Sequence, residues 1–551
     1  MFGLGVMLRA VGANLLLCSA VLLAQPYRPG AQVLSVHSDV DDSEQPYALY
    51  LPRQFDAARK YPLVISLHEE DSNHLQNLKR IFGEVPRFTG RGMESLRFVP
   101  PSQNIEFIVA SPLARGTMGY RGIAEEEVYS VLADVERRFS VDPDRVYLTG
   151  ASMGGGGALR LALTRPDVWA GVAVVCAAVI PGTESLAPNA LNLPIRLFHG
   201  DEDPVIPAAS SRQWQKRLLD LGSPVDYIEF PGVRHNSWDY AYRNASIFDW
   251  FATLRRNRFP PRVRFVTDSY QYSTAYWVRI DGLTPGQLAS IDARWNGKRQ
   301  IDVKTSNLLG FTLSLEGRQA AGLQIVSIDG APMRIRPGAP LRFRMVAGKW
   351  RAGRFEPTGK KPGSEGPMAE AVAARHIYVY GTSDSPPAEE IERRRAVAEA
   401  AAAWSTARRR VVVKLVVKPD SAVTAADQAD SNLILFGNRD TNSLIARMAG
   451  RLPLELSPGA ADYGLIFIAP AGKHYVLVNS GLPWWTGAAD AGRDVYRYEP
   501  EMPGLLETFG DYLLFKGSLA HVVAEGRFDG NWKVTADAAA RMTATGTVTI
   551  R

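Results

Sequence analysis

The chain has 551 residues, 46% hydrophobic and 22% charged, with a formal net charge of +6. At roughly 100–200 residues per domain this length predicts about three domains, and the composition excludes a wholly disordered chain. The small positive excess does not mark a nucleic-acid binder, whose basic residues gather on one face or stripe.

The N-terminus reads as an export signal. Arg9 precedes a short apolar core, Leu15 to Leu23, and Ala20 and Ala24 are small residues suited to cleavage. The apolar run is too short to span a bilayer. Residues 1–24 are therefore expected to be a removable signal peptide, leaving no stable membrane span and a periplasmic or secreted chain, bacterial in type. Of the two cysteines, Cys18 falls in that signal and Cys176 stands alone, so no internal disulfide is expected.

Strand and helix signals then alternate. Tyr47–Leu51, Leu63–Leu67, Phe107–Ser111, Val146–Thr149, Arg196–His199 and Tyr227–Phe230 read as strands. Glu125–Arg138, Gly154–Thr164, Ser211–Leu221 and Ala245–Leu254 read as helices. The near-continuous apolar run Leu63–Leu67 suits a strand buried on both faces. This alternation implies a parallel sheet with right-handed crossovers over residues 25–256. The pattern changes at the Pro-rich stretch 256–261. Residues 262–350 carry short alternating runs separated by Asp281-Gly282, Asn296-Gly297 and Asp329-Gly330, which predicts a small all-β domain, a sandwich. A Gly-, Pro- and Lys-rich segment over 351–369 reads as an exposed, mobile linker. Residues 370–551 alternate again and predict a second, smaller α/β domain. Its basic stretches Arg393–Arg395 and Arg408–Arg410 read as a solvated helical face, and no motif assigns this domain a role.

The sharpest chemical signal is Gly150-Ala151-Ser152-Met153-Gly154, a G-x-S-x-G that follows a strand and precedes a helix. Such a turn needs small neighbours, pushes the Ser152 hydroxyl above the sheet and aims the Met153 N–H at a bound carbonyl. A nucleophilic serine needs a base and an orienting acid, in the chain order Ser, acid, His. His199-Gly200-Asp201-Glu202-Asp203 offers three acids after one strand, and Gly232-Val233-Arg234-His235-Asn236 offers a histidine after the next. No H-E-x-x-H, Cys pair or phosphate-binding glycine loop is present, so neither metal nor cofactor is expected.

Over residues 40–255 these motifs resemble exported α/β-hydrolase esterases related to feruloyl esterases and poly(3-hydroxybutyrate) depolymerases, and more distantly the prolyl oligopeptidase catalytic domain. The resemblance implies an α/β-hydrolase fold and a serine carboxylesterase acting on small aryl or alkyl esters. It favours Asp203 as the acid, being the fifth residue of an H-G-x-x-D loop, with Asp201 as the alternative and His199 as support. It also places an oxyanion loop after an early strand. There the sequence reads His68-Glu69-Glu70-Asp71, with acids where the family has glycines. The backbone of Glu69 or Glu70 is expected to share that role with Met153, although a Glu in a glycine position invites strain and carboxylates there repel an oxyanion. Tyr120 and Trp238 are expected to line a substrate pocket. Two other readings are a serine peptidase with the same triad and a catalytically impaired binding protein on a hydrolase fold.

Overall fold

The run Tyr61–Leu67 is buried at every position, as a strand covered on both faces must be. The computed structural model describes residues 27–84, 88–89, 92–93, 103–296, 299–315, 322–336, 339–405, 411–489, 491 and 501–551. The expected signal peptide and Arg408–Arg410 lie outside the described residues. Tyr61–Leu67 sits near the middle of an eight-stranded sheet. Its strands are β1 (Gly30–Ser38), β2 (Ser43–Leu51), β3 (Tyr61–Leu67), β4 (Ile108–Pro112), β5 (Val141–Ala151), β6 (Gly171–Val175), β7 (Ile195–Gly200) and β8 (Val225–Phe230). The order is β1-β2-β4-β3-β5-β6-β7-β8. Strands β3 to β8 are mutually parallel, and β1 and β2 close one edge antiparallel.

Helices cover both faces. They are α1 (His74–Ile81), α2 (Ile123–Arg138), α3 (Met153–Thr164), α4 (Ala209–Asp220), α5 (Trp238–Ala241) and α6 (Ser246–Ala252). Leu63 and Ile65 of β3 pack with Val128 and Val131 of α2 and Leu159 of α3. Val64, between them, packs on the other face with Leu78 and Ile81 of α1 and Phe248 and Phe251 of α6. That alternation is the two-residue period of a strand. Asn73 starts α1 by accepting from the amides of Leu75 and Gln76. Two strands escaped the sequence reading. β1 is an edge strand that is only half-buried, and β6 is a five-residue Gly-Val-Ala run too short to show a period. The fold brings the carboxyl ends of β3, β5, β6, β7 and β8 to one edge, where open α/β sheets bind ligands.

Between 262 and 352 the described residues form two five-stranded sheets that share a core of Phe265, Ile291, Val303, Phe311 and Phe343. Thr274–Ala275 and Val278–Leu283 are separate strands, with Tyr276 at φ +55° between them. Further on, a seven-stranded mixed sheet has His376–Tyr380, Asn432–Phe436 and His474–Gly481 as adjacent parallel strands. The helix Ala388–Ala401 carries Arg393, Arg394 and Arg395, each paired with an acid: Glu390, Asp384 and Glu399 respectively.

The segment expected to be an exposed linker is partly buried. Lys360 is buried against Asp511, and Glu365 accepts from Ser269 Oγ (2.7 Å) and the Gln271 amide (3.0 Å). Most of the rest of the segment is exposed or half-exposed. A second clasp runs through Arg115, which is wholly buried. It donates to both carboxylate oxygens of Asp41 (2.8 and 3.0 Å), lies 2.9 Å from Glu127, and reaches the Val412 carbonyl (3.3 Å). Asp41 in turn accepts from the Lys414 amide (3.0 Å), so one charge network ties the first sheet to the C-terminal part. Arg115→Met would leave Asp41 and Glu127 buried without their counter-ion. The expected loss is about 3–5 kcal/mol, read as a lower urea midpoint.

Glu370 sits beside Glu365 and accepts from the Tyr475 hydroxyl. Burial, then the charge of Glu365, pushes its carboxyl up to about 9. Such a group holds its proton more tightly folded than unfolded, so stability falls as pH rises from the ordinary value of 4.5 towards about 9. Glu370→Gln should flatten that fall. The check is the melting temperature measured across this range in both proteins.

Candidate active site

Ser152 sits between β5 and α3 at φ +54°, a conformation costly for any residue with a side chain. The surroundings enforce it. The Ser152 amide donates to the Val175 carbonyl and its own carbonyl accepts from Ala178, both at 2.9 Å. A Cβ at Gly150 would lie 2.2 Å from the Gly154 carbonyl oxygen. One at Gly154 would lie 2.3 Å from the Leu67 oxygen and 2.6 Å from that of His68. Only glycine lets the β5–α3 turn pass this close to itself and to the loop after β3.

Ser152, His235 and Asp203, the acid that the resemblance favoured, meet here. His235 Nε2 is 3.0 Å from Ser152 Oγ, and His235 Nδ1 is 2.7 Å from Asp203 Oδ2. Asp203 is buried, which alone would raise its pKa. Hydrogen bonds from His235 and from the amides of Ile206 (3.0 Å) and Val205 (2.8 Å) outweigh burial and hold it below the ordinary carboxylate value. Its alternative, Asp201, is used otherwise: it accepts from the Gly232 amide at 2.7 Å and so anchors the loop that carries His235.

His199 sits directly against Asp203. Its Nδ1 is 2.7 Å from Ser211 Oγ, while its Nε2 faces two acceptors, the Ile206 carbonyl (3.0 Å) and Asp203 Oδ2 (3.2 Å). That set fits a neutral ring with the proton on Nε2, and burial lowers the pKa of His199. Asp203 Oδ2 is thus shared by two imidazoles. Cys176, at the end of β6, donates from Sγ to the His235 carbonyl (3.4 Å), and burial pushes its thiol up to about 12. Among the described residues Cys176, Asp203 and His235 form the one group with metal-ligand spacing. Its atoms are already engaged in these hydrogen bonds.

Residues 123–248 match the Phospholipase/Carboxylesterase family. This chain carries an α/β-hydrolase of the esterase type. A probable feruloyl esterase C of Aspergillus niger is 28% identical over 195 residues, which is 35% of this chain and 67% of that protein. An uncharacterized secreted protein of Arthroderma benhamiae is 25% identical over 396 residues, 64% of this chain and 40% of that protein. Among solved structures, a CE1 ferulic acid esterase from Anaeromyces mucronatus aligns at 18% identity over 41% of this chain and 91% of its own, with a TM-score of 0.33.

The loop after β3 differs from the expectation of strain at the acids. Positive φ falls on Asp71 (+61°), not on Glu69 or Glu70. The buried carboxylate of Glu69 is paired with Arg80, at the end of α1. Arg80 escaped the sequence reading, although an acidic loop followed by a helix ending in Lys79-Arg80 was a usable signal. Met153 opens α3, whose first amides have no acceptor within the helix.

The two expected pocket residues part company. Trp238 is half-buried and packs edge-on against His235, with ring centroids 5.3 Å apart. Tyr120 is not a pocket residue in this structure. It is 1% exposed and its hydroxyl donates to the His68 carbonyl at 2.9 Å, so it holds the loop after β3 from beneath. It packs so closely on α3 that a Cβ at Gly157 would lie 2.6 Å from its ring.

The crowding at Gly154 generates a prediction. Gly154→Ala should displace the Leu67–His68 backbone, at a cost of about 1–3 kcal/mol. The folded variant should turn over esters at least tenfold more slowly, measured as kcat at a temperature where circular dichroism shows it intact.

Proposed function

We propose that this chain is an exported serine carboxylesterase that hydrolyses small aryl or alkyl esters through an acyl-enzyme on Ser152. The observation that carries the reading is the continuous hydrogen-bonded line Ser152–His235–Asp203 at the carboxyl edge of the sheet. His235 takes the Ser152 proton as the hydroxyl attacks the ester carbonyl, then returns it to the leaving alcohol. Asp203 keeps the His235 proton on Nδ1 and stabilises the imidazolium. The Met153 amide and an amide of the Glu69–Glu70 loop steady the oxyanion. Water then attacks the acyl-enzyme by the same route. No step calls for a metal or a cofactor.

An aryl ester as one substrate is supported by the similarity to a probable feruloyl esterase and by Trp238 beside His235, an aromatic ring able to stack with an aryl group. Export is supported by the apolar N-terminal segment and by similarity to a secreted protein. Among the described residues no helix is long and apolar enough to cross a membrane.

The test is hydrolysis of p-nitrophenyl acetate and butyrate, with a peptide p-nitroanilide beside them. Esters should be cleaved and the anilide not. Ser152→Ala should abolish turnover, and Asp203→Asn should lower kcat by about 10⁴ by misplacing the His235 proton. Equal rates in wild type and Ser152→Ala would refute the assignment.

A further inference from the structure

The loop after β3 poses a problem that the proposed esterase reading does not itself solve. Its backbone lies against the nucleophile turn, with the Leu67 and His68 carbonyls packed on Gly154. His68 is wholly buried and bonded through Nε2 to the Leu113 carbonyl (2.8 Å), so the loop cannot swing away cheaply. The next residue, Glu69, is also buried. A carboxylate fixed there, facing no cation, would raise the energy of the negative charge that develops on the substrate oxygen.

Arg80 supplies that cation. It is mostly buried, pairs with Glu69 and lies over the Trp238 ring, 5.2 Å from its centroid. Trp238 packs edge-on against His235. Asp239, next to Trp238, and Cys176 also act on the charge of Arg80, and Asp239 is already bonded to the Asn236 amide group (3.0 Å). Burial lowers the guanidinium pKa only to about 10, so it stays charged at neutral pH. The chain Glu69–Arg80–Trp238–His235 thus joins the oxyanion side of the site to the base.

Resting on the esterase reading, we propose that Arg80 is a positioning residue that neutralises Glu69 and makes an acidic oxyanion loop compatible with catalysis. It acts through Glu69 and Trp238 and does not touch the reacting atoms. The consequence is an interdependent pair: Arg80 is needed because Glu69 is acidic.

The experiment compares wild type with Arg80→Met, Arg80→Lys, Glu69→Gln and the Glu69→Gln/Arg80→Met double variant. The readouts are kcat and KM on p-nitrophenyl butyrate, the inhibition constant for phenylboronic acid as a tetrahedral mimic, and melting temperature. Arg80→Met should lower kcat about 100-fold with KM within threefold, the scale of losing one oxyanion contact. Boronate binding should weaken in parallel. Arg80→Lys should retain most activity, and the double variant should recover to within tenfold of wild type. A double variant as impaired as Arg80→Met, or an Arg80→Met enzyme with unchanged kcat, would overturn the proposal. If wild type is as inert as Ser152→Ala, the esterase reading is what has failed. The pairing is then judged by melting temperature, where no recovery in the double variant overturns it.

Discussion

The site depends on one steric constraint, the absence of side-chain volume where β5 turns into α3. Gly150 meets the Gly154 carbonyl and Gly154 meets the Leu67 and His68 carbonyls at distances no Cβ tolerates. That contact forces Ser152 into its positive-φ turn and brings the loop after β3 against the helix N-terminus. The strain is held by backbone hydrogen bonds to Val175 and from Ala178, which belong to the next strand and the loop after it. Ser152 is therefore presented by the sheet as a whole, not by its own turn.

Asp203 and His235 are held with comparable redundancy. Asp203 receives two amides and faces two imidazoles, and Asp201 ties down the loop that carries His235. A carboxylate so fully satisfied stays ionised in a buried position, which a partner to an imidazolium requires. The remaining parts of the chain are joined to this unit by buried charge. Arg115 and Asp41 reach the 412–414 segment, and Glu365 reaches Ser269 and Gln271.

Much of the hydrolase part was legible because its signals are local. G-x-S-x-G reports a turn, the run Leu63–Leu67 reports a doubly covered strand, and chain order points to a loop of three acids and then a histidine, with the family resemblance favouring Asp203. What stayed hidden depends on long-range contact. β1 gains its order only by pairing with β2, and β6 is too short to show a period. Tyr120 follows a strand end as a pocket residue would, yet its neighbours His68 and Gly157 bury it. The polar 351–369 stretch looks solvated because sequence shows the charges of Lys360 and Glu365 without their partners. The same blindness made the acids at 69–70 look disabling, since Arg80 is eleven residues away along α1 and adjacent only in space.

Ser152 as a nucleophile activated by His235 is the proposal on which the rest stands. The most direct measurement is covalent labelling of the folded protein by a fluorophosphonate, with the adduct located by peptide mass spectrometry. A single adduct is expected on the peptide containing Ser152, absent after denaturation and absent in His235→Ala. An unlabelled Ser152 in folded protein, or labelling that persists unchanged without His235, would contradict it.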